Sequence, residues 1–576
     1  MAHGRLSLIL TGAATLALAF PSGADAASPT PVGAEHGMVV SAHHLASKAG
    51  IDVLKAGGNA VDAAVAVAYA LAVTFPEAGN LGGGGFMTVR FHDGRTAFID
   101  FRETAPGAAT ATMYLDANGN PVPERSRRGY LAVGVPGTVA GLELARAKYG
   151  TRPRAALMAD AIRLARDGFT LDQGDADMLA DAADEFRKDP PSAAIFLNRG
   201  EPWKPGQQLV QTDLARSLSM IAKGGETAFY NGPIAAKIVA ASKAGGGILA
   251  TKDFAAYKAR ELKPLECDYR GYHMISAPPP SSGGVVLCET FNILEGYPIG
   301  ELGFHSAAGT HLLTEALRRA YHDRNLNLGD PSFVTVDTAH FIDKNYAAAL
   351  RQGIDPNRAR PSMSLGAAGI GGEGQNTTHF SIVDKDGNAV SLTYTLNDWF
   401  GAHVTAAGTG ILLNDEMDDF SAKPGAPNMY GLVEGPNNAV APGKRPLSSM
   451  TPTIVTKDGQ LAMVVGTPGG SRIPSAVIET ISNMIDFGMT VTEAVDAPRI
   501  HHQWLPDEIG YERFGLSADT VAKLEAMGHK VVPMDYGNHV AAILVGAPAI
   551  GAKPLGSQKL YGAIDPRLNL GDVEGY

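Results

Sequence analysis

The sequence predicts an α+β protein in which helices and sheets are stacked around a large core. Of its 576 residues, 45% are hydrophobic and 19% are charged, proportions that allow a sizeable core. Apolar residues recur three and four positions apart in several stretches, as in helices. Three other stretches have alternating or apolar segments on both sides of an Asp-Gly pair, as in β-hairpins. By length alone the chain could form several domains or one layered body.

The helical patterns lie mainly before residue 330. Gly150 and Gly168 follow two of them as C-terminal caps. The segment 61–73 is apolar nearly all round, so we expect it to be buried against a sheet. Helices are predicted at 42–54, 61–73, 138–149, 154–167, 285–294, 310–323, 492–496 and 518–527, and the region 170–260 is predicted to be mostly helical.

The three hairpins should deliver polar and glycine residues to one place. They pair 86–91 with 95–101, 379–384 with 389–396, and 453–456 with 460–466. Arg102, Thr395 and Gly469 lie at or just beyond the ends of these hairpins that are opposite the turns. If the hairpins share one sandwich of sheets, these residues meet at an edge where Thr377 also begins its strand.

Other segments carry weaker signals. Single strands are predicted at 268–275, 540–545 and 561–564. Four consecutive glycines at 82–85 indicate close backbone packing beside a strand, since no Gly-Lys-Ser/Thr follows to make a phosphate loop. The segment 421–435 contains three glycines and two prolines and is predicted to be a surface loop.

Charge and motifs exclude several classes of protein. The net charge is −11 and no basic stripe is present, which argues against nucleic acid as a partner. The sequence contains no Gly-x-Ser-x-Gly and no His-Glu-x-x-His, the motifs of serine hydrolases and zinc proteases. The pairs His43-His44 and His501-His502 lack partners at metal-ligand spacing. We therefore predict no metal and no cofactor.

The N-terminus is typical of a secretory signal peptide. Arg5 precedes an apolar run that ends at Phe20, and Ala24-Asp25-Ala26 resembles a cleavage site. The apolar run is shorter than the ~20 residues of a membrane span. We expect removal of residues 1–26 and a periplasmic or secreted protein with no membrane span, the alternative being an uncleaved anchor.

The two cysteines, Cys267 and Cys288, leave two possibilities open. In an oxidising compartment they could form a disulfide, but a domain of this size does not need one. Because the sequence gives no distance between them, two buried thiols are an equal alternative.

A glycine-rich segment runs directly into a strand that starts with two threonines. Glycines stand at 366, 369, 371, 372 and 374, which predicts a loop, and Thr377-Thr378 follows Asn376. A threonine hydroxyl needs a base, and the α-amine of an N-terminal threonine can serve as that base. Cleavage of the bond between Asn376 and Thr377 would create such an amine. By residue type alone, however, two threonines at a strand start are usually explained by β-propensity.

Several segments resemble the γ-glutamyltranspeptidase family of N-terminal nucleophile hydrolases, in one order along nearly the whole chain. The segment 376–384, together with 386–388 and 393–397, is similar to the family's processing site and nucleophile strand. The further similar segments are 57–62, 80–86, 100–103, 278–284, 416–420, 445–450, 466–472 and 565–567.

The resemblance implies a fold and a division of the chain. The fold would be a four-layer αββα sandwich, one intertwined body built from two subunits of one precursor. Cleavage before Thr377 would give a large subunit of residues 27–376 and a small, catalytic subunit of residues 377–576, associated non-covalently. The implied reaction is hydrolysis or transfer of the γ-glutamyl group of glutathione and related donors, to water or to an amino-acid or peptide acceptor.

The resemblance also implies the catalytic residues. Thr377 would be the nucleophile, and Thr395 would hold its amine or hydroxyl. The backbone N–H groups of Gly469 and Gly470 would form the oxyanion hole.

A second group of residues would recognise the zwitterionic end of the donor. Arg102 would bind the α-carboxylate, with hydrogen bonds from Ser448 and Ser449. The α-ammonium would be held by Asn397, Glu416 and Asp419. Some bacterial relatives have Gln at the position of Glu416. A carboxylate at this position can also contact the α-ammonium. The segment 423–431, with Tyr430, resembles the lid loop of the bacterial branch.

Two alternatives are kept. A cephalosporin or glutaryl-amide acylase of the same fold would use the same nucleophile on a substrate without an α-amine, but Glu416, Asp419 and the lid-like segment favour a γ-glutamyl donor. A periplasmic binding protein would also be exported, but it does not account for a glycine loop that ends at two threonines.

Overall fold

The computed structural model describes residues 28–365 and 377–576. The predicted signal peptide, the glycine-rich loop from 366 and Asn376 lie outside the described residues. Among the described residues, no helix has the length and apolar character needed to cross a membrane.

The described helices are numbered here in chain order. They are α1 (His44–Lys55), α2 (Ala60–Thr74), α3 (Glu124–Arg127), α4 (Thr138–Tyr149), α5 (Arg154–Leu157), α6 (Ala159–Asp167), α7 (Gln173–Asp181), α8 (Ala183–Phe186), α9 (Pro190–Phe196), α10 (Thr212–Tyr230), α11 (Pro233–Ala244), α12 (Thr251–Ala256), α13 (Gly283–Leu294), α14 (Ile299–Leu302), α15 (Ala307–Asn327), α16 (Thr338–Phe341), α17 (Lys344–Gln352), α18 (Ile473–Ile485), α19 (Val491–Asp496) and α20 (Ala518–Ala526).

The strands are numbered in the same way. They are β1 (Val32–Ala34), β2 (Met38–Ser41), β3 (Gly84–Arg90), β4 (Thr96–Asp100), β5 (Phe169–Thr170), β6 (Gln208–Leu209), β7 (Arg260–Leu262), β8 (Leu265–Tyr269), β9 (Tyr272–Ser276), β10 (Thr378–Val383), β11 (Ala389–Thr395), β12 (Thr405–Ala406), β13 (Ile411–Leu412), β14 (Thr453–Lys457), β15 (Gln460–Gly466), β16 (Ile500–His501), β17 (Ile509–Glu512), β18 (Val531–Met534), β19 (Ala541–Val545), β20 (Leu560–Ile564) and β21 (Asp572–Gly575).

Two antiparallel seven-stranded sheets form the centre of this α+β fold. One has the strand order β1-β20-β19-β15-β14-β9-β8, and the other has the order β21-β2-β10-β11-β3-β4-β7. Strand β10, which follows Thr377, lies between β2 and β11 in the interior of its sheet. All six of its residues are buried, so the start of this strand is held from both sides.

Polar side chains form part of the contact between the two sheets, and an apolar cluster that includes Met38 and Ile543 forms another part. The Ser381 hydroxyl donates to the carbonyl of Ala541 at 3.0 Å, and the Ser391 hydroxyl donates to the carbonyl of Val465 at 3.1 Å. A Cβ atom at Gly466 would lie 2.3 Å from the His379 ring, so only glycine fits there. Hydroxyls therefore bridge the two sheets at these positions.

Helices pack on both seven-stranded sheets. In one sheet, α2 contacts β11 and α4 contacts β3 and β4, and all fifteen residues of α2 are buried as its apolar sequence predicts. In the other sheet, α13 contacts β8 and β9, and α18 contacts β15. The three predicted hairpins are confirmed as β3-β4, β10-β11 and β14-β15. The close packing expected at the glycines is confirmed too, since a Cβ atom at Gly83 would lie 1.9 Å from the carbonyl oxygen of Thr395.

Some expectations were wrong. The segment 268–275 contains parts of two strands, because Arg270 and Gly271 have φ values of 50° and 80° and form a tight turn between β8 and β9. The helix predicted at 154–167 is divided at Met158 into α5 and α6. Helix α18 was not predicted; twelve of its thirteen residues are buried, although Ser475, Glu479, Ser482 and Asn483 recur at helical spacing.

Cys267 on β8 and Cys288 on α13 are joined by a disulfide. The bridge spans 21 positions and connects the edge strand of one sheet to a helix that packs on it. This answers the question that the sequence left open.

We expect the disulfide to contribute about 3 kcal/mol to stability, because closing a loop of this length restricts the unfolded chain. The double variant Cys267→Ser/Cys288→Ser should lose that amount in urea unfolding. A reductant should lower the stability of the wild-type protein to the same level and leave the variant unchanged; a reductant effect on the variant would contradict the prediction.

Candidate active site

The far ends of the three hairpins meet at one cavity. Its lining includes nine of the ten predicted catalytic and binding residues, and the tenth, Gly469, directly precedes Gly470. The lining residues are Arg102, Thr377, Thr395, Asn397, Glu416, Asp419, Tyr430, Ser448, Ser449, Met450, Gly470 and Ile473.

Thr377 lies at the entrance to β10 in a strained conformation. It is 4% exposed and has a φ of 127°, a value that a β-branched residue rarely adopts. Thr378 pairs with Tyr394, so Thr377 lies at the level of Thr395 on the neighbouring strand. The Thr395 hydroxyl accepts a hydrogen bond from the N–H of Asn397 at 2.9 Å. Its own hydrogen therefore remains available to another acceptor.

Arg102 is fully buried among carboxylates. Its two terminal nitrogens donate to Glu416 and Asp419, and its Nε donates to the carbonyl of Pro446 at 3.2 Å. Glu103 lies 3.8 Å from Nη1. A guanidinium has five N–H groups, so these contacts leave one N–H on each terminal nitrogen.

The acids around Arg102 have raised pKa values. Burial raises the pKa of Glu103 to about 7, although Arg102 lowers it in part. Burial likewise raises the pKa values of Glu416 and Asp419, against the pull of Arg102. Burial opposes the charge on Arg102, yet Glu416, Asp419 and Glu103 raise the pKa of its guanidinium. The cluster has more acid than base and favours a ligand that brings a positive charge.

Ser448 and Ser449 are held by the Pro-Ser turn before α13. The N–H of Ser448 donates to the carbonyl of Pro280 at 2.9 Å, and its carbonyl accepts from the N–H of Ser282 at 2.8 Å. The Ser448 hydroxyl accepts from the N–H of Met450 at 3.1 Å, which leaves its hydrogen free to donate. Buried Arg324 of α15 donates to the Ser449 hydroxyl at 3.4 Å.

Gly469 and Gly470 form a turn that only glycine can adopt. Their φ values are 129° and 56°. A Cβ atom on Gly469 would lie 2.2 Å from the side chain of Asn538, and one on Gly470 would lie 2.3 Å from the ring of Tyr430. Asn538 donates to the carbonyl of Pro468 at 2.6 Å and so fixes the turn from outside.

Tyr430 covers the cavity, and the prediction that 421–435 is a surface loop holds only for its first part, since 422–428 is exposed or half-buried and 429–435 is buried. Tyr430 is 4% exposed, and its hydroxyl donates to the Asn397 side-chain oxygen at 2.7 Å. The amide of Asn397 donates to the carbonyl of Asp415 at 3.1 Å. Glycine and proline content predicted the irregular backbone correctly but did not indicate that the apolar residues between them fold inward.

Other residues at the site were not predicted. Arg324 and Asn538 support the serines and the glycine turn, and Met450 and Ile473 line the cavity. The Arg-rich sequence of α15 was the only signal for Arg324. No pattern marked Asn538, because it acts through one side-chain hydrogen bond.

One group of described residues has the spacing of metal ligands, and it does not line this cavity. Ligand atoms of His311, Glu315 and His529 lie within 4.8 Å of one another. Glu315 is already paired with Arg318 and Arg319, whose charges oppose a cation. The donor set is therefore a poor metal site.

Replacing Arg102 with Met should destabilise the protein by roughly 3 kcal/mol, because buried carboxylates lose their partner. The loss should be larger at pH 8 than at pH 5.5. Carboxyls with raised folded pKa values stabilise the fold while protonated, and this contribution is lost as pH rises through the folded pKa values. Without Arg102 those pKa values rise further, so the variant loses more between the two pH values.

Urea unfolding of both proteins at the two pH values measures this effect. Lys48→Met, which breaks the exposed Lys48–Asp52 pair, is the control and should change little at either pH. If Arg102→Met lowers the free energy of unfolding equally at both pH values, the raised pKa values given to the surrounding carboxyls are contradicted.

The chain has many relatives of known family. Residues 46–572 match the model of the family described as Gamma-glutamyltranspeptidase. The chain is 61% identical over 552 residues to the glutathione hydrolase proenzyme of Pseudomonas sp. (strain A14), with 96% of each chain covered. It is 51% identical over 539 residues to the glutathione hydrolase proenzyme of Escherichia coli (strain K12), covering 93% of this chain and 91% of that one.

A solved structure supports the fold. The crystal structure of cephalosporin acylase from Bacillus halodurans matches with a TM-score of 0.82 and 28% identity, covering 97% of this chain and 99% of that one. Together with the family match, this excludes the alternative that the chain is a periplasmic binding protein. The chain belongs to the γ-glutamyltranspeptidase family.

Proposed function

We propose that the chain is the proenzyme of a glutathione hydrolase and γ-glutamyltransferase that uses Thr377 as its nucleophile. The observation that carries the proposal is the cavity at Thr377, in which a guanidinium, two carboxylates, two serines and a two-glycine turn face a strained threonine. The identity to glutathione hydrolase proenzymes supports the choice of reaction.

The proposed reaction begins with cleavage of the precursor between Asn376 and Thr377. The Thr377 hydroxyl then attacks the γ-carbonyl carbon of the donor, and its proton passes to the new α-amine. The N–H groups of Gly469 and Gly470 stabilise the oxyanion, and the amine returns the proton to the leaving nitrogen. Water or an acceptor amine then attacks the γ-glutamyl ester and releases Thr377.

The donor is held by its zwitterionic end. Its α-carboxylate receives the two remaining N–H groups of Arg102 and the Ser448 hydroxyl, and its α-ammonium lies against Glu416 and Asp419. An acylase for glutaryl amides would need no buried acids for an ammonium group. The pair Glu416 and Asp419 therefore favours a γ-glutamyl donor.

The same proposal covers the assembly. Helices outside each of two facing sheets support a four-layer αββα arrangement. Because β10 and β11 pair with β2 and β3, residues on both sides of the proposed cleavage point share one sheet. The large and small subunits would then be intertwined without a covalent link. The N-terminal signal pattern supports export to the periplasm or the medium.

The purified wild-type protein should run as two bands on a denaturing gel, and Thr377→Ala should run as one inactive band. The reason is that both cleavage and catalysis need the hydroxyl. Sequencing the N-terminus of the smaller band should give Thr-Thr-His. Thr378→Ala is the matched control and should still be cut. A Thr377→Ala protein that matures and releases product would overturn the mechanism.

Asp419→Asn should separate the two donor classes. With γ-glutamyl-4-nitroanilide, kcat/KM should fall at least about 100-fold, since a buried carboxylate that pairs with the α-ammonium is lost. With glutaryl-4-nitroanilide, which lacks only the α-amine, the change should be less than about tenfold. Equal losses on the two substrates would favour the acylase alternative.

A further inference from the structure

A second cavity lies between α13, α15 and α18 and shares no lining residue with the one at Thr377. Its volume is about 40 Å³, more than the ~10–15 Å³ that one water needs. At its rim Phe304 is 37% exposed and meets Phe487 edge to face at 5.6 Å. Its apolar walls are formed by Leu294, Ile299, Leu313, Ile478 and Ile500.

Two buried polar groups in this cavity lack partners among the described residues. Glu479 is 6% exposed, and its Oε1 accepts from the N–H of Ile500 at 2.9 Å, but its Oε2 has no hydrogen bond. The hydroxyl of Thr310 is also buried without a partner. Buried polar atoms are almost always paired with protein or with ordered water, so two unpaired ones at one cavity mark a place where a further polar group can bind.

A third group adds another acceptor. His305 Nδ1 lies 2.7 Å from the carbonyl oxygen of Gly515 and must carry the hydrogen of that bond. Its Nε2 therefore presents a lone pair, and it lies 4.0 Å from Glu479 Oε1. Burial lowers the pKa of His305, which keeps the ring neutral. Its φ of 51° is a strained backbone value of the kind found at ligand sites.

We propose that this cavity binds a short primary alkylammonium ion. Glu479, Thr310 and His305 offer three acceptors, which match the three N–H groups of an ammonium, and the aliphatic walls receive the alkyl chain. A carboxylate or phosphate ligand brings only acceptors and a negative charge to the side of Glu479 and the His305 lone pair, so it is disfavoured. A neutral alcohol would satisfy at most one of them as a donor.

The surrounding charges allow this ligand. Burial raises the pKa of Glu479 to about 8, with Arg499 and Arg567 opposing the rise and Glu512 adding to it. When the ammonium binds, Glu479 releases its proton to solvent and forms an ion pair. The net charge of the cavity and its ligand then stays at zero, so no uncompensated charge is buried.

The second cavity is connected to the active site through helix α18. Glu479 lies on α18, the helix that follows the Gly469-Gly470 turn directly. Cleavage of any amide by this fold releases an amine, so short amines belong to the class of molecules that the enzyme produces. The binding proposal itself does not depend on the reaction at Thr377.

The test is a titration of the full-length purified protein with n-propylammonium chloride. Binding is measured by calorimetry and by ligand-observed NMR. Glu479→Gln keeps an oxygen for the Ile500 N–H but turns an acceptor into a donor, so Kd should rise at least about tenfold. Thr310→Val should raise Kd about threefold or more. Asp419→Asn, which alters the other cavity, should leave Kd unchanged.

Several results would overturn the proposal. They are no saturable binding to wild type, equal binding of 1-propanol, or loss of binding in Asp419→Asn with retention in Glu479→Gln. Circular dichroism and thermal melting establish whether each variant is folded. If Glu479→Gln does not fold, Thr310→Val is the variant that tests the proposal. An unchanged Kd for n-propylammonium in Thr310→Val would then refute binding in this cavity.

Discussion

The structure of the active site depends on keeping Arg102 charged in the interior. A buried guanidinium without partners would be prohibitively costly, so Glu416 and Asp419 must reach it. Arg102 follows β4, whereas the two acids lie in the turn that follows β13. The ion pairs therefore fix the position of that turn against a sheet. The same contacts leave more carboxyl groups than guanidinium groups around Arg102.

The pattern of side chains along β10 and β11 explains how this arrangement is supported. Phe380 and Ile382 face the helices, while His379 and Ser381 face the other sheet. The His379 ring lies 2.8 Å from the Thr393 hydroxyl and 3.1 Å from the Ser381 hydroxyl, and burial lowers its pKa to about 3. The neutral ring thus satisfies a buried polar layer without adding a charge near Thr377.

Much of the fold and the site could be predicted from the sequence, for identifiable reasons. The Asp-Gly turns are local signals that predict the three hairpins, whereas the meeting of Arg102, Thr395 and Gly469 was expected only if the hairpins share one sandwich, because the third hairpin lies in the other sheet. The roles of Glu416, Asp419, Ser448 and Ser449 came from the family resemblance, since each residue type alone is compatible with an ordinary loop. Their common cavity is a finding of the structure, whereas their roles in catalysis stay predictions.

Other features could not be predicted because they depend on contacts between distant segments. Tyr430 contacts Asn397 and Gly470, which lie 33 and 40 positions away in the sequence. The disulfide depended on a distance that sequence does not contain.

The backbone at Thr377 has a consequence for the direction of maturation. A φ of 127° costs a β-branched residue on the order of 1–3 kcal/mol, and the surrounding strands maintain it. If the bond before Thr377 is cut, that torsion no longer involves a peptide, and the stored energy is released. Cleavage would then be favoured by this energy, because rejoining the two ends would require the strained torsion to form again.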